Sequence, residues 1–139
     1  MNAPLSRVLR EAYDCAVYEA ELETGHVIFR IGRAPQGPAP DGTLAIITAW
    51  NPAHERPGDP ANKKANVRLA AEIESRGWQH RPALGRSEDG AHVEASFAVA
   101  DIAREEAVAI GRRLNQAAVF YWDGTEARIL SCMAEEQSA

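Results

Sequence analysis

Little in this chain marks specialised chemistry or an unusual environment. Its two cysteines, Cys15 and Cys132, lie far apart and show neither a CxxC motif nor any metal-ligand spacing, so two reduced thiols are expected. No apolar run approaches the roughly 20 residues of a membrane helix, and residues 1–13 lack the apolar core of a signal peptide. A cytoplasmic protein with no membrane contact is the expectation. Basic residues are in deficit, 15 Lys and Arg against 20 Asp and Glu for a net charge of −5. The lack of a basic face and of an aromatic stacking motif argues against general affinity for nucleic acid and ranks that reading last, because phosphate binding draws on clustered cations.

Catalytic and cofactor motifs are missing as well. The histidines His26, His54, His80 and His92 form no HExxH pattern and pair with no cysteine at ligand spacing, so no metal is expected. Gly32, Gly37 and Gly42 match neither a P-loop nor GxGxxG, and no nucleophile setting of the GxSxG or CxxxxxR type occurs. No cofactor is implied. Whether the chain is an enzyme is left open by its sequence.

What is there is the composition of an ordinary globular domain: 139 residues, 45% hydrophobic and 25% charged. A single domain over residues 1–139 is expected, with a frayed tail over about 134–139 containing Glu135 and Glu136. The run Leu44 to Trp50 is apolar without alternation and stops at Asn51-Pro52, the pattern of a central strand covered on both faces.

Around it the hydrophobic period predicts the other elements. A short helix over about 4–13 carries the stripe Leu5, Val8, Leu9 and Ala12. A hairpin follows, with Tyr18 and Ala20 on one face of its first strand and Val27, Phe29 and Ile31 on one face of its second. Residues 34–42 hold three prolines and two glycines and form a loop. A long helix runs from about Pro60 to Arg76, capped by Asp59 and stopped by Gly77. Residues 78–84 read as an edge strand because of Pro82, and residues 92–100 alternate with Val93, Ala95, Phe97 and Val99 toward the core. A second long helix, about 102–115, is capped by Asp101, and its Gly111 suggests close approach to a strand. A final hairpin turns at Asp123-Gly124, a type I′ signal. The fold class is α+β: a single mixed sheet of about six to seven strands built largely from hairpins, with two long helices and a short N-terminal one packed on it.

Several phrases in this order form a recognisable set: Ala12-Tyr13, Val17-Tyr18, Phe29-Arg30-Ile31-Gly32, Ile47-Thr48-Ala49-Trp50-Asn51-Pro52, Asn66, Glu94-Ala95-Ser96-Phe97, Gly111-Arg112-Arg113 and Gln116-Ala117-Ala118-Val119. From about Tyr13 to Cys132 the chain resembles the bacterial family catalogued as domain of unknown function 3293. The resemblance implies a bacterial, stand-alone, single-domain protein and transfers no mechanism.

Candidate site residues gather where the central strand ends. Asn51 terminates a buried strand close to a helix start, a place that could receive an anion or an amide, or it satisfies backbone groups beside Pro52. Asn66, on the dry face of the first long helix, needs partners and could meet Asn51, a ligand or a loop backbone. Glu94 and Ser96 share a strand face with His92, at about 7 Å spacing that is too long for direct proton transfer, and a solvated polar face is the competing reading. A small-molecule site built from Trp50, Asn51, Asn66, Glu94, Ser96 and Gln116 is the leading expectation, with Arg56, Lys63 and Lys64 as a weaker anion-binding cluster. The alternative is a non-catalytic interaction or regulatory domain, forming a homodimer or holding a protein partner through Trp78, Tyr121 and Trp122.

Overall fold

The structure is a computed structural model and describes residues 3–52 and 56–133. The expected tail at 134–139 and His54 lie outside the described residues. Three helices and seven strands follow in the order α1 (Arg7–Cys15), β1 (Val17–Leu22), β2 (Gly25–Arg30), β3 (Leu44–Ile47), α2 (Asp59–Ser75), β4 (His80–Arg86), β5 (Val93–Ala100), α3 (Arg104–Arg113), β6 (Ala118–Trp122) and β7 (Ala127–Ser131). This is the expected succession of helix, hairpin, strand, helix, hairpin, helix, hairpin.

One sheet contains all seven strands in the order β2-β1-β4-β5-β3-β6-β7. Every neighbouring pair is antiparallel, which corrects the expectation of a mixed sheet. The reason lies in the crossovers. Helix α2 joins β3 to β4 and α3 joins β5 to β6, and each joined pair runs parallel but is separated by one intervening strand. Parallel strands linked by a helix therefore never pair.

The sheet curls. Tyr18 of β1 stacks on Phe120 of β6 with ring centroids 4.7 Å apart, and Phe29 of β2 meets Trp122 at 5.6 Å, although β4, β5 and β3 lie between those strands in the sheet. Inside the curl, Tyr18, Ala20, Val27, Phe29, Leu44, Ile46, Ala98, Phe120 and Trp122 make one core, with Leu5, Leu9 and Tyr13 from the N-terminal segment against it. Outside, α2 and α3 lay Leu69, Ile73, Ala107 and Ile110 on Ala45, Ile47, Val99, Val119 and Tyr121. Alternate residues of β3 and β6 thus enter different cores, which is why both strands lack polar positions.

Several local expectations are corrected. The first helix starts at Arg7 because Ser6 caps it, accepting a hydrogen bond from the Leu9 N–H at 3.3 Å. Its buried stripe is Leu5, Leu9 and Tyr13, while Val8 is 77% exposed. Gly58, not Asp59, caps α2, and Ala103, not Asp101, caps α3, so the second long helix shortens to ten residues. Asp101 instead takes a left-handed turn with φ 58° and donates its backbone N–H to Thr43. Strand β4 is interior, not an edge. Pro82 is tolerated because the ladder to β1 ends at Ala20 and Ala83, and Arg81 donates to the next free carbonyl, Glu21, at 2.9 Å. The last hairpin closes over the four residues 123–126, with the Asp123 carboxylate accepting from the N–H groups of Thr125 and Glu126, rather than over a two-residue type I′ turn.

Both edges are covered. Gln36 of the proline-rich loop exchanges two backbone hydrogen bonds with Ile28 of β2, at 2.8 and 2.9 Å, and Ala3 bonds to Met133 and Ser131 at the end of β7. Gly111 is where α3 comes closest to the sheet. A Cβ there would stand 2.6 Å from Cys132 Sγ and 2.7 Å from Val119 Cγ1. Gly111→Ala is therefore expected to lower stability by about 1–2 kcal/mol, overpacking exceeding the gain of about 1 kcal/mol in helix propensity. Urea unfolding measures it; an unchanged or raised midpoint would contradict the close approach.

Candidate functional site

The ladder of β3 ends at Ile47, paired with Phe97, three residues short of the expected strand end at Trp50. From Thr48 onward side chains replace the missing backbone partners. Thr48 Oγ1 donates to the Ala95 carbonyl at 2.7 Å, and Asn66 Nδ2 donates to the same oxygen at 2.9 Å while its Oδ1 accepts from the Ala49 N–H. Gln116 donates to the Trp50 carbonyl at 3.0 Å. Asn51 and Asn62 bond reciprocally: Asn62 Oδ1 accepts from the Asn51 backbone N–H, and Asn62 Nδ2 donates to Asn51 Oδ1, both at 2.9 Å. Asn51 sits at φ 47°, a left-handed conformation that asparagine adopts more readily than most residues.

That arrangement leaves the amide nitrogen of Asn51 beside the Glu94 carboxylate, whose charged form it favours. Glu94 lies on the concave side of β5, opposite Gly85 of β4, whose own partner across β1 is Tyr18. The expectation that Val93 and Ala95 face the core, with Glu94 and Ser96 in water, is reversed. Val93 is 50% exposed, whereas Ser96 is 7% exposed and donates to the Glu94 carbonyl. Both sheet faces are covered along most of β5, but α2 does not reach its first residues. The convex side there is wet and the concave side is enclosed.

Glu94 borders a cavity of about 570 Å³ at one end of the curled sheet. Its walls come from α1 (Leu9, Ala12, Tyr13), the start of β1 (Tyr18), the end of β4 (Gly85, Arg86), the turn before β5 (His92), Trp50 and Asn51, and the start of α2 (Asp59, Asn62), with Arg56 alongside. A smaller space of about 50 Å³ continues inward from Tyr13, Tyr18 and Glu94 to Ser96 and Gln116. Burial pushes the Glu94 carboxyl above its ordinary range, against the opposing influence of the Asn51 hydrogen bond and of Arg56 and His92. Desolvation, with Glu94 nearby, raises the Tyr13 phenol to about 12. Arg86 is held by Glu19, Nε to Oε2 at 2.6 Å, and that same carboxylate receives His26 at 2.8 Å.

Of the residues expected at the site, Trp50, Asn51, Glu94 and Arg56 line the larger cavity, and Glu94, Ser96 and Gln116 line the smaller. Asn66 reaches neither, its amide being used on the backbone of Ala49 and Ala95. Lys63 and Lys64 are exposed on α2 and line neither space. Asn62 was absent from the expected set although it is one turn before Asn66 on the stripe Asn62, Asn66, Leu69, Ile73, all buried. Tyr13 carries the same kind of signal, four residues after Leu9. Of the aromatic residues considered for an interface, Tyr121 and Trp122 are buried in the two cores and Trp78 is partly exposed beneath Arg76. Among the described residues, no group of three or more His, Cys, Asp and Glu side chains is placed to hold a metal ion.

Fold and cavity together define a small α+β domain whose curled antiparallel sheet opens at one end onto a pocket with a carboxylate in its wall. Residues 47–119, just over half of the chain, match the model of the family described as protein of unknown function, DUF3293, and the chain belongs to that family. The matched span includes Trp50, Asn51, Asn62, Asn66, Glu94, Ser96 and Gln116 and excludes Tyr13 and Tyr18. No curated protein and no solved structure matches the chain. Among the described residues, no helix is long and apolar enough to cross a membrane.

The geometry separates two classes of variant. Asn66→Ala leaves the Ala49 N–H without its partner and is expected to destabilise by about 1–3 kcal/mol in urea unfolding. Glu94→Gln should do the opposite at neutral pH. A carboxyl whose pKa is raised on folding binds more protons in the native state, so its contribution falls as pH rises from the unfolded to the folded pKa and stays lost above it. The amide cannot ionise. The variant is expected to melt above the parent at about pH 8 and to converge with it below about pH 4, where both forms are neutral. A lower melting temperature at about pH 8 would mean the carboxylate is favourably solvated or paired.

Proposed function

We propose that the cavity at the end of the sheet is a small-molecule binding site, with Glu94 and Asn51 as its polar anchors and Trp50, Tyr13 and Tyr18 as its apolar wall. The observation that carries this reading is the inward-facing carboxylate of Glu94 beside Asn51, which the buried amide of Asn62 holds in place, in a space of about 570 Å³. Small-molecule pockets occupy roughly 300–1,000 Å³ and combine apolar walls with a few convergent polar groups. A carboxylate kept in a setting that penalises its charge is the usual mark of a site retained for use rather than for stability. The anion-binding version of the reading rests on Arg56 alone, since Lys63 and Lys64 stand outside the cavity. As part of the same proposal the domain works in the cytoplasm, where the exposed Cys15 and the buried Cys132 remain thiols.

A thermal-shift screen of the purified chain against nucleotides, amino acids, sugar phosphates and divalent metals tests the proposal. A ligand at a hundredfold excess over its Kd stabilises by about 2.7 kcal/mol, several degrees in Tm for a domain of this size. At least one class is expected to give such a rise, to lose it with Glu94→Gln, and to keep it with Lys64→Ala, whose side chain is exposed on α2 and lines neither space. Equal rises in the parent and in Glu94→Gln, or no rise with any class, would overturn the assignment.

A further inference from the structure

We infer that the occupant of this cavity presents a primary ammonium group to Glu94, so that the site selects amines or amino acids over carboxylic acids and neutral alcohols. The inference rests on the reading of the cavity as a binding site and adds the ligand's charge. Four observations support it.

First, the Glu94 carboxylate has two oxygens and about four acceptor positions, and the Asn51 amide stands beside it. Among the described residues, no ion pair reaches it. An ammonium supplies three donors and an opposite charge at contact, where Arg56 and His92 act only from a distance. Second, the arginine nearest the floor is already committed. Arg86 lines the cavity but is bonded to Glu19 on the other face of the sheet, so it does not neutralise Glu94. Third, the start of α2 brings a second acid, Asp59, to the wall, which disfavours a purely anionic guest despite the helix N-terminus there. Fourth, Tyr13, Tyr18 and Trp50 bring aromatic rings to the wall, the side-chain type beside which organic cations are held, at roughly 0.5–2 kcal/mol where a ring face is presented.

The cavity also contains Arg56, outside the Asn51–Glu94 pair. A ligand with an acid group beyond its ammonium would meet it, whereas a simple amine would not. The two sources of an ammonium, amino acid and plain amine, are thus separable by that residue.

The experiment uses the full chain and two matched trios: leucine, 3-methylbutylamine and 4-methylpentanoate; phenylalanine, phenethylamine and 3-phenylpropanoate. Isothermal titration and Trp fluorescence read binding near about pH 8, where a raised carboxyl is ionised. The titratable and charged groups that face Glu94 from the elements packed around it are Tyr13 from α1, Tyr18 from β1, His92 before β5, and Arg56 and Asp59 at the start of α2, while Arg86 of β4 is turned to Glu19 on the other face. At least one ammonium-bearing member is expected to bind, with its deaminated partner at least about tenfold weaker, a difference of about 1.4 kcal/mol. Glu94→Gln should remove that preference, its fold being checked by its melting curve. Arg56→Ala should weaken an amino acid but not the corresponding amine.

Acids binding as tightly as amines, amine binding that survives Glu94→Gln, or silence of every ammonium-bearing probe would each overturn the inference. These failures are distinguishable from failure of the site itself. If amines are silent while the broader screen yields a ligand that Glu94→Gln abolishes, the cavity remains a binding site for another chemistry; if both are silent, the cavity reading falls too.

Discussion

The contact between Tyr18 and Phe120 is the constraint from which the rest of the molecule follows. Rings on β1 and β6 can stack at 4.7 Å only if the sheet between them bends back on itself. Once it does, the sheet has an inside and an outside, each with its own apolar filling. The inside is closed along its length by Leu5, Leu9 and Tyr13 and by the loop whose Pro40 carbonyl accepts from the Trp122 indole. At the end where β3 and β4 stop and β1 and β5 begin, the filling runs out. The cavity is what remains of the interior where no large side chain was supplied.

A buried strand end is a place where backbone groups lose their partners, and leaving them unpaired would cost about 1–3 kcal/mol each. Here the amide and hydroxyl side chains of Thr48, Asn66, Gln116 and Asn62 take over from the ladder. Their effect reaches beyond stability. By fixing residues 48–51 they hold Asn51 in its left-handed conformation with its amide turned to Glu94. Asn66 and Gln116 thus act on the site from outside the larger cavity, as supports for the loop that delivers Trp50 and Asn51. The acidic residue they serve is held where burial works against its charge, an arrangement that packing alone would replace with an apolar or amide side chain.

Much of the architecture was legible in the sequence because hydrophobic period is local. Alternation of two at Tyr18, Ala20, Val27 and Phe29 identified the first hairpin, the doubly apolar run at 44–50 identified the central strand, and Gly77 and Gly111 carried their conformational meaning unaided. The starts of the two longer helices shifted by a few residues because Gly58 and Ala103 cap them without a side-chain hydrogen bond, so residue type did not mark them. Pro82 misled because its meaning depends on where a neighbouring ladder ends. At the site, Trp50, Asn51 and Glu94 were found from their place beside an abrupt strand end. Asn66 was read as meeting Asn51, a ligand or a loop backbone, and it takes the backbone of Ala49 and Ala95, while the partner of Asn51 is Asn62, one helical turn earlier.

The sequence by itself determined the succession of elements, the identity of the interior strands and the neighbourhood of the site, because each is written in the spacing of apolar residues within a dozen positions. Only the tertiary structure decided which face of β5 is indoors. Alternation states that Glu94 and Val93 point opposite ways, and it is silent about which way is in. That is settled by the curl of the sheet and the reach of α2, long-range facts that place the carboxylate in the cavity and leave the valine half in water.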